Sequence, residues 1–127
     1  MAMRSMIGRV RGLGSAKEGT GHFFVQRLTA VALIPLSLWF VFSLVRLVGV
    51  EYGEIKFWAS QQINACGLIA LVIATFYHAE LGLQVVIEDY VHDEGIKFIS
   101  LVATKLVCAA LAIAGIFAVL KLALFGV

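Results

Sequence analysis

Residues 63–90 read INACGLIALVIATFYHAELGLQVVIEDY, and this stretch decides the fold. Its apolar part, 63–87, is long enough to cross a bilayer, because a transmembrane helix needs about 20 predominantly apolar residues. Two ionisable side chains, His78 and Glu80, interrupt the apolar part, and a charged connector follows it. An apolar stretch of this length between polar segments predicts a transmembrane helix.

Two further apolar stretches flank the first one. The earlier stretch covers about 28–48 and contains Pro35, which a transmembrane helix tolerates, and the later one covers about 98–124. A basic tail at 1–27 precedes them, and a polar loop at 51–62 and a charged connector at 88–97 join the three. The sequence therefore predicts an all-α membrane protein with three transmembrane helices, which form a single membrane-anchor domain over 1–127.

The composition supports this interpretation and excludes other classes. Of the 127 residues, 61% are hydrophobic and 14% are charged, whereas soluble domains average about 45–50% apolar and about 25% charged residues. Three spans leave no room for a soluble catalytic domain, and a net charge of +2 gives no reason to expect nucleic-acid binding. Cys66 and Cys108 stand in apolar surroundings without ligand-like spacing, which indicates inert buried thiols.

The distribution of Lys and Arg predicts how the chain crosses the membrane. Five of the ten basic residues precede the first span, so the N-terminus is expected inside and, after three crossings, the C-terminus outside. The same rule places the 88–97 connector inside. Arg27, Asp89 and Tyr90 are therefore expected to gather at the inner face of the membrane.

Small residues share one helix face with His78. Successive helix residues rotate by about 100°, which aligns Gly67, Ala74, His78 and Gly82. A neutral imidazole ligates haem iron, and small neighbours let a macrocycle approach the helix. The alternative is that His78 hydrogen-bonds a neighbouring helix and the glycines serve close packing. One histidine supplies a single axial ligand, so a haem here would need its second ligand from a partner subunit.

The run that begins at His78 resembles the signature of the small hydrophobic membrane anchor of succinate dehydrogenase, respiratory complex II. That signature is a histidine, a glycine four residues later, and Asp-Tyr eleven and twelve residues after the histidine. His78, Gly82, Asp89 and Tyr90 stand at these positions. Residues 27–30, Arg-Leu-Thr-Ala, are similar to the family's Arg-x-Thr-Ala at the start of the first span. The resemblance covers essentially the whole chain.

This resemblance implies a non-catalytic electron-transfer subunit in contact with membrane lipid. The family's chain pairs with a cytochrome b anchor subunit, holds one haem b jointly with it, and docks the iron–sulfur and flavoprotein subunits. Electrons from succinate then reach ubiquinone near the inner face. A bacterial inner membrane is favoured over a mitochondrial one, because residues 1–27 are too short and glycine-rich for a convincing presequence.

The resemblance also implies roles for four residues. His78 corresponds to an axial ligand of the haem iron, and Arg27 to an arginine near the haem propionates. Tyr90 corresponds to a tyrosine that hydrogen-bonds ubiquinone, with Asp89 as the neighbouring carboxylate. A phenol at the membrane edge suits a quinone, since its ring stays in the apolar zone, although an interfacial anchor is the ordinary role of such a tyrosine.

Two other functions stay open at this point. A small ion- or proton-coupled transporter would use Glu80, Lys105 and His78 as a relay, although the first span lacks the acidic residue that short multidrug transporters carry there. A purely structural anchor would resemble the family without holding haem. A b-type absorption spectrum would separate the electron-transfer interpretation from both.

Glu80 and Lys105 fall outside the family signature. Each lies roughly 10–12 Å from the inner face on its own helix, by a rise of 1.5 Å per residue. A lone charge in hydrocarbon is unfavourable by several kcal/mol, and pairing relieves much of that. The sequence therefore predicts an intramembrane ion pair on the side of the helix away from His78. The rival is that Lys105 extends to the inner headgroups while Glu80 is protonated or meets a partner.

Overall fold

The computed structural model of the protein describes residues 16–125, which form a bundle of helices. The helices are α1 (Ala16–Arg46), α2 (Tyr52–Ser60), α3 (Gln62–Tyr90) and α4 (Glu94–Leu120), and a π-helical turn (Lys121–Phe125) continues α4. Three segments are long and apolar enough to cross a membrane, namely Gly19–Arg46, Gln62–Tyr90 and Glu94–Phe125. The predicted all-α architecture with three membrane-crossing helices is confirmed over this part of the chain.

The helices differ from the apolar stretches at their ends. α1 begins at Ala16, so the second half of the predicted basic tail is helical, while the tail before residue 16 lies outside the described residues. The prediction of a loop at 51–62 was wrong, because α2 occupies most of it. The connector after α3 shortens to 91–93, since Asp93 caps α4 by accepting a hydrogen bond from the backbone N–H of Ile96 at 2.9 Å.

α3 packs against both α1 and α4, which make few contacts with each other in the described part of the chain. A Cβ atom on Gly67 of α3 would lie 2.7 Å from Cη2 of Trp39 on α1. A Cβ atom on Gly115 of α4 would lie 2.9 Å from Cγ1 of Val72 on α3. Because lipid is as apolar as the helices, transmembrane helices associate through close packing, and at each of these glycines a side chain of the neighbouring helix packs against the backbone. Small residues therefore hold the bundle together.

One end of the bundle is closed by α2. The Trp39 and Trp58 rings stack there with centroids 5.9 Å apart, and the side-chain amide of Asn64 donates a hydrogen bond to the carbonyl of Trp58 at 2.8 Å. The turn that leads into α2 contains Gly49 with φ of +81°, a conformation that favours glycine. We call this end the Trp58 end. The opposite end, which holds the start of α1 and the 91–93 connector, is the Tyr90 end.

The outer faces of the long helices expose large apolar side chains along their whole length. Examples on all three are Phe23, Leu38, Ile73, Val86, Leu106 and Phe117. A contiguous apolar surface of this extent marks contact with lipid or with other transmembrane chains. The protein is a multi-pass membrane protein.

The approach of α1 to α3 at Gly67 leads to a stability prediction. Gly67→Ala places a methyl group against the Trp39 ring, which its stacking on Trp58 keeps from moving aside. We expect the thermal midpoint of the purified protein in detergent to fall, by an amount equivalent to about 1–3 kcal/mol. Gly53→Ala is the matched control, since a Cβ there meets nothing within 4 Å and its midpoint should be unchanged or higher. Equal midpoints for the two variants would contradict this account.

Candidate functional site

The predicted haem ligand lies where α3 packs against α1. The Nδ1 atom of His78 is 3.0 Å from the hydroxyl oxygen of Thr29, so the two helices are joined by a side-chain hydrogen bond. Thr29 is buried, with 8% of its surface exposed, and His78 is half-buried. Gln26 lies one turn before Thr29, with its Nε2 3.6 Å from the Cβ that Gly82 would carry. We call Gln26, Thr29 and His78 the polar seam.

Buried polar atoms without partners accompany the seam. Nε2 of His22 and Oε1 of Gln26 are buried and have no hydrogen-bond partner within residues 16–125. His22, Gln26 and Thr29 are spaced four and three residues apart, so they share one face of α1. A buried polar group left unpaired is unfavourable by about 1–3 kcal/mol. Their hydrogen bonding is therefore incomplete within the part of the chain that the structure describes.

Among the described residues, one ring nitrogen of His78 has a hydrogen-bond partner. Nδ1 is bonded to Thr29, while Nε2 has no hydrogen-bond partner among the described residues. The sequence left two alternatives for this histidine, iron ligation or a hydrogen bond to a neighbouring helix. The structure shows the hydrogen bond, which uses one of the two ring nitrogens.

The small residues beside His78 divide between two uses. Gly67 serves close packing, since the Trp39 ring fills the space over it. Ala74 is buried in the same contact region of α3. At Gly82 the nearest atom outside its own helix, Nε2 of Gln26, is at ordinary van der Waals distance, so this glycine is less tightly covered. The packing interpretation therefore holds for Gly67, whereas a methyl group would be accommodated at Gly82.

Arg27 lies close to the seam in height but on a different face of α1. It stands two residues from Thr29, which rotates it by about 200° around the helix. Its guanidinium carbon lies 5.0 Å from the centroid of the Phe23 ring, and the side chain is exposed. The structure does not bring Arg27 and His78 into contact.

Tyr90 and Asp89 form the last turn of α3. Both are exposed, Tyr90 to 78% of its surface, and the helix rise puts them about 16–18 Å along the axis from His78. Within residues 16–125 neither side chain has a hydrogen-bond or ion-pair partner. Any pocket around Tyr90 therefore needs walls that residues 16–125 do not supply.

The predicted ion pair is present on the other side of α3. Nζ of Lys105 on α4 lies 3.6 Å from Oε1 of Glu80, with 59% and 19% of the two side chains exposed. This confirms the pair and contradicts extension of Lys105 to the headgroups. His78 faces α1 whereas Glu80 faces α4, so the structure does not assemble the three-residue relay that a transporter would need.

A cavity that the sequence did not indicate opens at the Trp58 end. Its volume is about 610 Å³, and its walls include Trp39, Ser43, Arg46, Glu54 and Trp58. It lies at the end of the bundle opposite Tyr90 and includes none of the predicted site residues. Trp39 and Arg46 of α1 meet Trp58 there because α2 folds back, and no motif in the sequence signals that.

Thr29 is the residue of the site that sequence reasoning missed. Thr29 belongs to the Arg-Leu-Thr-Ala stretch, in which Arg27 was the residue predicted to belong to the site. The available signal was spacing, because Thr29 follows His22 by two turns on one helix face. Which face of α1 meets α3 is decided by packing, and the sequence of one helix does not contain that information.

The chain is similar to proteins of a known membrane-protein family. The chain matches the model of the succinate dehydrogenase/fumarate reductase transmembrane subunit over residues 1–112. The chain belongs to this family. The resemblance found in the sequence is thereby confirmed, and it extends from the basic tail through most of α4.

Curated relatives agree with the family assignment. A succinate dehydrogenase hydrophobic membrane anchor subunit from Rickettsia bellii is 35% identical over 91% of this chain and 93% of its own length. The subunit of the same description from Rickettsia conorii is 28% identical over 91% of this chain and 92% of its own length. The one from Rickettsia typhi is 30% identical over 83% of this chain and 84% of its own length. No solved structure gives a significant match.

The Glu80–Lys105 pair leads to a testable prediction about coupling. In a double-mutant cycle of Glu80→Gln and Lys105→Met, we expect the losses in the free energy of unfolding of the two single variants to add up to more than the loss of the double variant. The expected coupling is about 0.5–2 kcal/mol, measured from denaturation in mixed detergent. The Glu94–Lys97 pair on the exposed first turn of α4, at 3.4 Å, is the control and should couple more weakly. Strict additivity at Glu80 and Lys105 would refute the pair.

Proposed function

We propose that this chain anchors succinate dehydrogenase in a bacterial inner membrane, with the Tyr90 end inside and the C-terminus outside. It holds haem b jointly with a cytochrome b anchor subunit and contributes to the site of ubiquinone reduction. The observation that carries this function is the family match over residues 1–112. The basic tail supports the orientation, and the Rickettsia relatives support a bacterial membrane.

The residues of the polar seam fit haem b. His78 would hold the iron through its second ring nitrogen, which is free of hydrogen bonds within the described chain. When bound, haem b takes up and releases single electrons. His22 and Gln26 present buried polar atoms without partners next to this position, which suits the polar edge of a macrocycle. His22 and His92 lie near the Tyr90 end, so a second ligand of the iron would come from the cytochrome b subunit.

Arg27 has a role in this proposal that does not need contact with His78. Its exposed guanidinium stands near the Tyr90 end, where it would bind a propionate carboxylate of haem b. Arginine binds carboxylates through paired N–H donors. The similarity of Arg-Leu-Thr-Ala to the family's Arg-x-Thr-Ala supports Arg27 as a propionate partner in the assembled complex, and the exposure of its side chain is compatible with that role.

Tyr90 and Asp89 are proposed to serve ubiquinone. A quinone carbonyl oxygen gains negative charge on reduction, and a phenolic O–H that donates a hydrogen bond to it stabilises that charge. Tyr90 ends α3 at the membrane edge, which keeps the ring apolar and the hydroxyl near water. Asp89 orients the donor or passes protons. The exposure of both residues leaves a surface on which the iron–sulfur and flavoprotein subunits close the site.

The first test addresses His78. We expect His78→Leu to abolish the b-type bands in a reduced-minus-oxidised visible spectrum of the purified complex, because leucine cannot ligate iron. His92→Leu is the control, since His92 is exposed in the 91–93 connector and should leave the spectrum intact. Normal bands in the His78→Leu complex would show that this residue is not a ligand.

The second test addresses Tyr90. Tyr90→Phe keeps the ring and removes the donor, so quinone reduction should slow by roughly 5- to 150-fold, equivalent to about 1–3 kcal/mol. Tyr77→Phe, at another partly exposed tyrosine of α3, is the matched control and should retain full activity. Succinate oxidation with an artificial acceptor at the soluble subunits should be unchanged in both. A parallel loss of both activities in Tyr90→Phe would indicate failed assembly and not a lost hydrogen bond.

A further inference from the structure

Thr29 has more potential hydrogen-bond partners than it has protons. Its hydroxyl oxygen lies 2.9 Å from the carbonyl oxygen of Val25, 3.0 Å from that of Gln26, and 3.0 Å from Nδ1 of His78. A hydroxyl group has one proton to donate and lone pairs that accept. Carbonyl oxygens only accept, whereas a neutral imidazole nitrogen either donates or accepts. The arrangement around Thr29 is therefore restricted.

Two arrangements of the protons are conceivable, and they differ in how many contacts are satisfied. If Thr29 donates to Nδ1, its oxygen faces two carbonyl oxygens at hydrogen-bond distance with no proton between them. If Thr29 donates to the carbonyls of its own helix, its one proton is shared between the two carbonyl oxygens, and Nδ1–H of His78 donates to the Thr29 oxygen, so no contact is left between two acceptors without a proton. In a buried site an unsatisfied or repulsive polar contact is unfavourable, so the second arrangement is preferred.

We propose that Thr29 is a positioning residue that holds the Nδ1 proton of His78 and so leaves Nε2 as the ligating atom. The proposal rests on the assignment of His78 as a haem ligand. It assigns a role to Thr29, the threonine of the Arg-Leu-Thr-Ala stretch, for which the proposed function has no other role. Ligating histidines commonly donate their other ring N–H to an oxygen acceptor, which fixes the ring and increases its basicity as a ligand.

The structure also accounts for the rigidity that such a role requires. Thr29 is buried, and its hydroxyl is tied to the carbonyls of the preceding turn, so its oxygen has a fixed position relative to α1. α1 in turn is fixed against α3 by the close contact of Trp39 with Gly67. The acceptor for Nδ1–H is therefore set by the packing of the two helices, and the imidazole plane is set with it.

The experiment compares three substitutions in the purified complex that separate the hydroxyl of Thr29 from its methyl group. Thr29→Val keeps the shape and removes the hydroxyl, Thr29→Ser keeps the hydroxyl and removes the methyl, and Thr29→Ala removes both. Measured for each are the g-values of the oxidised haem by electron paramagnetic resonance, the haem midpoint potential, and haem content per complex. Ser43→Ala, at another buried hydroxyl of α1, is the control.

We expect the effects to follow the hydroxyl. Thr29→Val and Thr29→Ala should shift the g-values, raise the midpoint potential because a less basic imidazole stabilises oxidised iron less, and lower haem affinity about tenfold. Thr29→Ser and Ser43→Ala should match the wild type. If Thr29→Val does not assemble, the comparison of Thr29→Ser with Thr29→Ala gives the same decision, since these two differ only in the hydroxyl.

The other outcomes overturn the proposal in distinguishable ways. Wild-type g-values and potential in Thr29→Val, or equal changes in Thr29→Ser and Thr29→Ala, would mean that Thr29 acts only through packing while the haem assignment stands. A wild-type complex without any b-type band would overturn the haem assignment and this proposal together.

Discussion

Hydrocarbon offers no hydrogen-bond partner, and this constraint governs where the polar side chains of the three long helices lie. Each polar group within a span has to be satisfied by the protein. α3 carries two such groups near mid-length, and it lies between α1 and α4. His78 is directed to Thr29 on one neighbour, and Glu80 to Lys105 on the other. The central helix α3 is therefore joined to α1 by a side-chain hydrogen bond and to α4 by an ion pair.

The two contacts differ in how completely the polar groups beside them are satisfied. On the α1 side, one of the two imidazole nitrogens is hydrogen-bonded, and buried polar atoms of His22 and Gln26 have no partner within residues 16–125. On the α4 side, the charges of Glu80 and Lys105 are paired. The family to which the chain belongs supplies an anchor role for the whole, and the seam between α1 and α3 is the part of the described chain whose hydrogen bonding is incomplete.

Much of the fold follows from the sequence because it depends on one helix at a time. Apolar length predicts the three long helices, and the rotation of about 200° between His78 and Glu80 predicts that they face opposite neighbours. α2 was missed because a nine-residue segment with mixed polarity has no strong period. It is fixed by the stacking of Trp58 on Trp39, a contact between distant parts of the chain. The site was predictable to the same degree, since His78 was identified but its partner Thr29 depends on which face of α1 meets α3.

The short connector between α3 and α4 bears on how the chain enters the membrane during synthesis. With only 91–93 between the helices and Asp93 capping the second, α3 and α4 form a tight antiparallel hairpin. A lone charged residue at the centre of an inserting helix adds about 2.5–3.5 kcal/mol to the free energy of insertion. If the hairpin passes from the translocon into the lipid as a unit, the charges of Glu80 and Lys105 are already paired when they enter the hydrocarbon. The pair then acts as a folding determinant at the translocon, before any partner subunit has been met.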